Sequence, residues 1–200
     1  MLRYKGIPIL EYWKLKRIAA TVRAGKVPEG VDGEEILRAM KLTKPKNVME
    51  VLGCLYAKVQ RKDGTYKDYG LVSVKEVTAA FANHLVDAFT SSGDVIDDFN
   101  QHKMGAGSTA ETDTQTALVT AQAGAQGATG NAAATHGATS NIYRTVGTLT
   151  AGSAYGCREH GVFNASTGGT MLDRSVVTNI ELNTDDVVTW TYELTVSAGG

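Results

Sequence analysis

Cysteine is scarce in this chain: Cys54 and Cys157 are the only two in 200 residues. They stand far apart and outside any C-x-x-C pattern, which is too few for a disulfide framework, so both are expected to be reduced and partly buried. Aromatic residues make up 7% and prolines number three. No apolar run approaches the ~20 residues needed to span a bilayer, and the opening residues lack the apolar stretch of a secretion signal. The expectation is a soluble chain made in the cytoplasm, with no membrane partner.

Catalytic signatures are missing as well. Gly105-Ala106-Gly107-Ser108-Thr109 lacks the lysine of a P-loop and the third glycine of a dinucleotide turn. In Gly152-Ser153-Ala154-Tyr155-Gly156 the serine sits one place from the centre that a nucleophile elbow requires. His84, His102, His136 and His160 are scattered, and Cys157 with His160 is half of a zinc site at most. Glu159 and His160 are neighbours on an expected strand and point to opposite faces, so they make no acid–base pair. The same holds for Asp173 and Arg174, each better placed to pair across a sheet or a subunit boundary. Asp97-Asp98 and Asp185-Asp186 lack calcium-loop spacing. No catalytic residue, cofactor or metal ligand is assigned; the chain reads as a structural or interaction protein, not an enzyme.

What is present is a periodic C-terminal third. From Val187 onward, Val188, Trp190, Tyr192, Leu194 and Val196 alternate with Val187, Thr189, Thr191, Glu193 and Thr195, the pattern of a strand with one face in a core. Similar signals cover 142–149, 155–163 and 171–180, separated by Gly or Asn-Thr-Asp-Asp turns. Leu55 to Val59 and Tyr66 to Val72 flank Asp63-Gly64, which predicts a hairpin over 55–72 with a tight type I′ turn. Ser73 and Glu76 form a capping box ahead of Val77, Phe81, Leu85 and Phe89, which predicts a helix over 74–91. Phe99 to Met104 suits a strand, whereas 105–139 is rich in Gly, Ala and Thr and poor in bulk, and is expected to form extended loops. The fold class is mainly β with a helical N-terminal arm (α+β), an antiparallel sandwich or jelly-roll-like body over 53–200 packed with one helix. Phe81, Leu85, Phe163, Trp190, Tyr192 and Leu194 are the expected core.

The first 52 residues read as a basic arm of short helices. Leu15, Ile18 and Val22 follow helical spacing up to Gly25, and Asp32 with Glu35 caps a second helix bearing Ile36, Leu37 and Met40. Charge is bipolar: residues 1–75 carry 16 Lys and Arg against 8 Asp and Glu, a balance of +8, and residues 76–200 carry 4 against 13, a balance of −9. A basic arm on an acidic body suits an acidic protein surface or a neighbouring copy, and Tyr12, Trp13, Lys14, Lys16, Arg17 and Arg23 are the candidate partner-binding residues. Nucleic acid is the weaker reading, because Tyr4, Tyr12 and Trp13 fall where an amphipathic helix would bury them.

Four phrases carry a resemblance: Val77-Thr78-Ala79-Ala80-Phe81-Ala82-Asn83-His84-Leu85-Val86-Asp87 after a hairpin; Phe99-Asn100-Gln101-His102-Lys103-Met104-Gly105-Ala106-Gly107-Ser108-Thr109-Ala110-Glu111; Asn141-Ile142-Tyr143-Arg144-Thr145-Val146; and Glu159-His160-Gly161-Val162-Phe163 with Asp173-Arg174-Ser175 before the alternating strand and Gly199-Gly200. Over roughly residues 65–200 the chain resembles a group of tailed-bacteriophage virion proteins; the first 50 residues lie outside that pattern. The resemblance implies a virion structural protein. A capsid decoration or cement protein on the phage head, bridging capsid subunits as a homo-oligomer with the major capsid protein as partner, is the leading expectation. A neck or tail ring, adaptor or sleeve is the alternative. A receptor- or carbohydrate-binding module comes third, because most aromatics fall on strands or in the arm. No small-molecule substrate is implied.

Overall fold

In the computed structural model, which describes residues 3–4, 7–24, 28–43, 50–88, 99–129, 131–133 and 142–197, one strand decides the architecture. β3 (Glu50–Gln60) is buried on both faces: Leu55, Ala57 and Val59 enter one core, Leu52 and Cys54 another. Side chains alternate along a strand, so an apolar run without alternation calls for a layer on each side.

The first layer is helical. After a short ribbon of β1 (Arg3–Tyr4) and β2 (Ile7–Pro8), α1 (Ile9–Arg23) and α2 (Gly33–Leu42) pack together. Asp32 Oδ1 accepts the Glu35 N–H at 2.7 Å, capping α2 as its sequence predicts. Leu15, Ile18, Ala19 and Val22 of α1 meet Ile36, Ala39 and Met40 of α2 over Leu52, Cys54 and Val74 of the sheet. The helices thus cover the body's own sheet, each large apolar side chain contributing about 1.5–3 kcal/mol by burial.

The second and third layers are antiparallel sheets. One has the order β4-β3-β11-β8-β7, built from β4 (Tyr66–Glu76), β3, β11 (Val187–Ser197), β8 (Ile142–Thr150) and β7 (Asn131–Ala133). The other has the order β10-β9-β5-β6, built from β10 (Met171–Leu182), β9 (Tyr155–Phe163), β5 (Gln101–Gly105) and β6 (Ala121–Thr129). The molecule is mainly β, an α+β sandwich. β11 lies at the centre of its sheet, and Val188, Trp190, Tyr192 and Leu194 are all buried between the sheets as the alternation requires; Val196 emerges to solvent. Phe81 and Phe163 are buried too, whereas Leu85 is only half-buried, because α3 (Ala79–Ala88) lies at the sandwich rim and turns Phe81 alone fully inward.

Three expectations are corrected. The 61–65 connection is not type I′: Gly64 N–H bonds Arg61 O at 2.9 Å, and Gly64 alone is left-handed at φ +84°. That is a three-residue loop closed by a left-handed glycine. Residues 74–76 are strand, since β4 stays paired with β3 as far as Glu76, and the following helix starts at Ala79 with Thr78 as its cap. Within 105–139 the loop reading fails at β6 and β7, which pair with β5 and β8 at sheet edges. Backbone hydrogen bonds hold these strands, so their Ala and Gly content gave no apolar signal. Phe89, Asp97, Asp98, His136 and the C-terminal glycines lie outside the described residues.

Candidate functional site

Residues of segments 99–111, 142–146 and 159–176 converge on buried polar joints. Glu159 and Arg174 sit on neighbouring strands β9 and β10, facing away from the other sheet, and both are buried. Arg174 Nε donates to Glu159 Oε2 at 2.8 Å, and its Nη2 lies 2.7 Å from the same oxygen. The carboxylate also accepts the N–H groups of Gly107 (3.0 Å), Val119 (3.0 Å) and Thr120 (2.6 Å). Burial pushes this carboxyl up, but the Thr120 and Val119 N–H groups and the Arg174 guanidinium outweigh it and hold it below its ordinary value. Arg174 Nη1 reaches Thr109 O and Gln115 Oε1, both at 3.1 Å. Glu111 bonds the Val176 N–H and pairs with Lys75 of β4. The segment 105–120 is therefore fastened by two buried carboxylates, Glu159 at the outer face of β9 and β10 and Glu111 at the edge of β10.

Between the sheets lies a second polar row. Tyr192 Oη donates to Asp173 Oδ2 at 3.0 Å, and Ser175 Oγ to Asp173 Oδ1 at 3.3 Å. Burial pushes the Asp173 carboxyl up to about 7, and nearby Glu111 adds to the rise. His102 Nδ1 and His160 Nε2 are 3.0 Å apart, His102 Nε2 is 3.1 Å from Thr145 Oγ1, and the His160 ring stacks on Trp190 at 4.7 Å. The ring of His102 lies against Gly147, where a Cβ would collide with it. Glu159 and His160 do point to opposite faces, and Asp173 and Arg174 likewise. At the sandwich end, Asp186 accepts from Arg61 (2.6 Å) and from the Asn183 and Lys62 N–H groups, while Asp185 pairs with exposed Lys62.

A cavity of about 370 Å³ opens where the end of α1 meets β4, residues 77–78, segment 111–113 and β10, lined by Arg23, Lys75, Thr78, Glu111, Asp113 and Arg174 among others. Its buried charges are engaged with one another or with Glu159. Among the described residues no group of three or more His, Cys, Asp or Glu could hold a metal ion.

The candidate partner-binding residues divide. Trp13, Lys16 and Arg17 share the outward face of α1: Trp13 is 55% exposed and Lys16 Nζ lies 5.0 Å from its ring centre. Leu10, which sequence reasoning passed over, is 74% exposed one turn before Trp13. Its i, i+3, i+7 spacing with Trp13 and Arg17 was legible. Tyr12 is half-buried on the flank, Lys14 pairs with Glu35 of α2 at 2.6 Å, and Arg23 Nη1 donates to Thr43 Oγ1 at 3.2 Å. The buried pairs were missed because only strand register brings residues 58 positions apart, such as His102 and His160, into contact. The available signal was ionisable residues inside otherwise apolar strands. No family model, curated protein or solved structure matches the chain.

Proposed function

We propose that this chain is a structural protein of a tailed-phage particle, a capsid decoration or cement protein that stabilises the head by bridging capsid subunits. The observation that carries the reading is the outward face of α1. Leu10 and Trp13 present apolar surface there beside Lys16 and Arg17, on a helix whose opposite face is buried against the sandwich. An exposed aromatic and aliphatic pair flanked by two cations has the composition of an interface anchor aimed at an acidic surface. Supporting it, each phrase of the virion resemblance contributes to a scaffold joint: Thr78 from the first, His102 and Glu111 from the second, Thr145 from the third, Glu159, His160, Asp173 and Arg174 from the last. Residues spent on rigidity suit a protein that bears load in an assembly.

Co-sedimentation with shells of the same phage's major capsid protein tests the reading. Saturable binding at many copies per shell is expected, and Trp13→Ala with Arg17→Glu should weaken it by about tenfold or more, roughly 1.4 kcal/mol, without a change in Tm. Absence of wild-type binding would remove the decoration reading, and attachment at a single vertex of the particle would place the protein in the neck or tail.

A further inference from the structure

The pair His102 and His160 is placed where a proton can do the most damage. Both rings are buried, at 0% and 1% exposure. Met104 opposes His160 from β5 and Ser175 opposes it from β10, so the pair faces the other sheet. A hydrogen bond between two ring nitrogens needs one N–H and one lone pair. The 3.0 Å contact therefore holds only while at least one ring is neutral, and His102 passes the bond on to Thr145 of the opposite sheet. We propose that His102 and His160 form an acid-operated latch between the two sheets: the neutral pair ties them together, and protonating it drives the sandwich open.

Among the described residues, no counter-charge waits for the added proton. From β10 the only ionisable group on this face is Asp173, already bonded to Tyr192 of β11 and Ser175. Its raised value leaves it protonated, hence uncharged, in the acid range where the histidines would charge. From β4 comes Lys75, a cation paired with Glu111. β8 offers Thr145, while its Arg144 pairs with Glu193 of β11, each on the other face of the sheet. β3 contributes Leu55 and Ala57, and the sequence of β6 holds no ionisable residue. Glu159 and Lys103 point to the far side of their sheet. Burial holds His102 down to about 4, and burial with the neighbouring ring holds His160 lower than usual. Lowered folded values mean that this stability is complete above the ordinary histidine value of about 6.5 and is lost as pH falls through the folded values.

Imidazole NMR of the full chain, read beside Trp190 near-UV circular dichroism, tests the latch. Two of the four histidines should stay neutral below about pH 5 and then take up about two protons together as the tryptophan signal collapses. If all four titrate near 6.5 with the tryptophan signal intact, the latch does not exist. The double variant His102→Gln and His160→Gln should move the acid midpoint down by about one pH unit and make it shallower. An unchanged midpoint would assign acid opening to carboxylates such as Glu159 and Asp186 and overturn the proposal. Should the variant not fold, the wild-type titration still decides.

Discussion

Single residues carry unusual weight in this fold because so many charges are inside it. Glu159 has four hydrogen-bonding partners, three backbone N–H groups and Arg174. Glu159→Ala would strand the guanidinium of Arg174 and release the start and end of segment 105–120 together. A loss of about 3–5 kcal/mol is expected in urea unfolding, with new protease sensitivity in that segment; a cost under about 1 kcal/mol would mean that the pair is a bystander. Asp173 argues in the opposite direction. Its carboxyl is raised to about 7, so the native state prefers the neutral acid. The stability it contributes is complete below the ordinary value of 3.8 and is lost as pH rises through about 7. Asp173→Asn keeps an acceptor for Tyr192 and a donor for Ser175 while removing the ionisation. It should raise Tm relative to wild type at about pH 8.5 and not at about pH 5. An equal shift at both values would show that Asp173 does not ionise in that window.

At the scale of elements, a pair of hydroxyls separates two accounts of where α3 begins. Thr78 Oγ1 accepts the Phe81 N–H and donates to Met171 O, so Thr78→Ala should cost about 1 kcal/mol or more. Ser73, the cap implied by the Ser73 and Glu76 pattern, lies inside β4 with its hydroxyl buried and without a hydrogen bond. Ser73→Ala should therefore be neutral or mildly stabilising, and a loss as large as that at Thr78 would restore the longer helix. The sequence allowed either start, because a capping box is a local signal and the ladder from β3 to β4 is not. The strands β8 to β11 were legible wherever large side chains alternate, and Tyr155 to Phe163 was read to its observed bounds. β6 and β7 were not, for their residues pair through the backbone with no apolar bulk to betray them. Lys16 and Arg17 could be read as outward from helical spacing, whereas Trp13, expected where an amphipathic helix buries its aromatics, is 55% exposed, and the joints at Glu159, His102 and Asp173 could not be read. A one-residue change of register would turn each of them to the wrong face.

For the molecule as a whole, the bipolar charge acquires a different meaning once burial is known. Glu111, Glu159, Asp173 and Asp186 are all buried, so part of the acidic excess of residues 76–200 is internal and engaged. The cations Lys16 and Arg17 stay outside. The basic end is therefore the more available partner surface, and the helices that bear it are also a wall of the fold. Removing residues 1–43 would uncover Leu52, Cys54 and Val74, which now share a core with α1 and α2. An exposed apolar strip on a sheet is an aggregation hazard, so the truncated chain should be insoluble or associate non-specifically. Trp13→Ala with Arg17→Glu should stay monodisperse with an unchanged Tm, because those side chains point away from that core. Native-state hydrogen exchange distinguishes the same two cases in the intact chain. Amides of α1 around Ile18 should open with the same free energy as those of β3, as one cooperative unit. A soluble truncated protein, with α1 amides that exchange far faster than those of β3, would instead make residues 1–43 a separable arm and return the burial at Leu52 and Cys54 to a minor role.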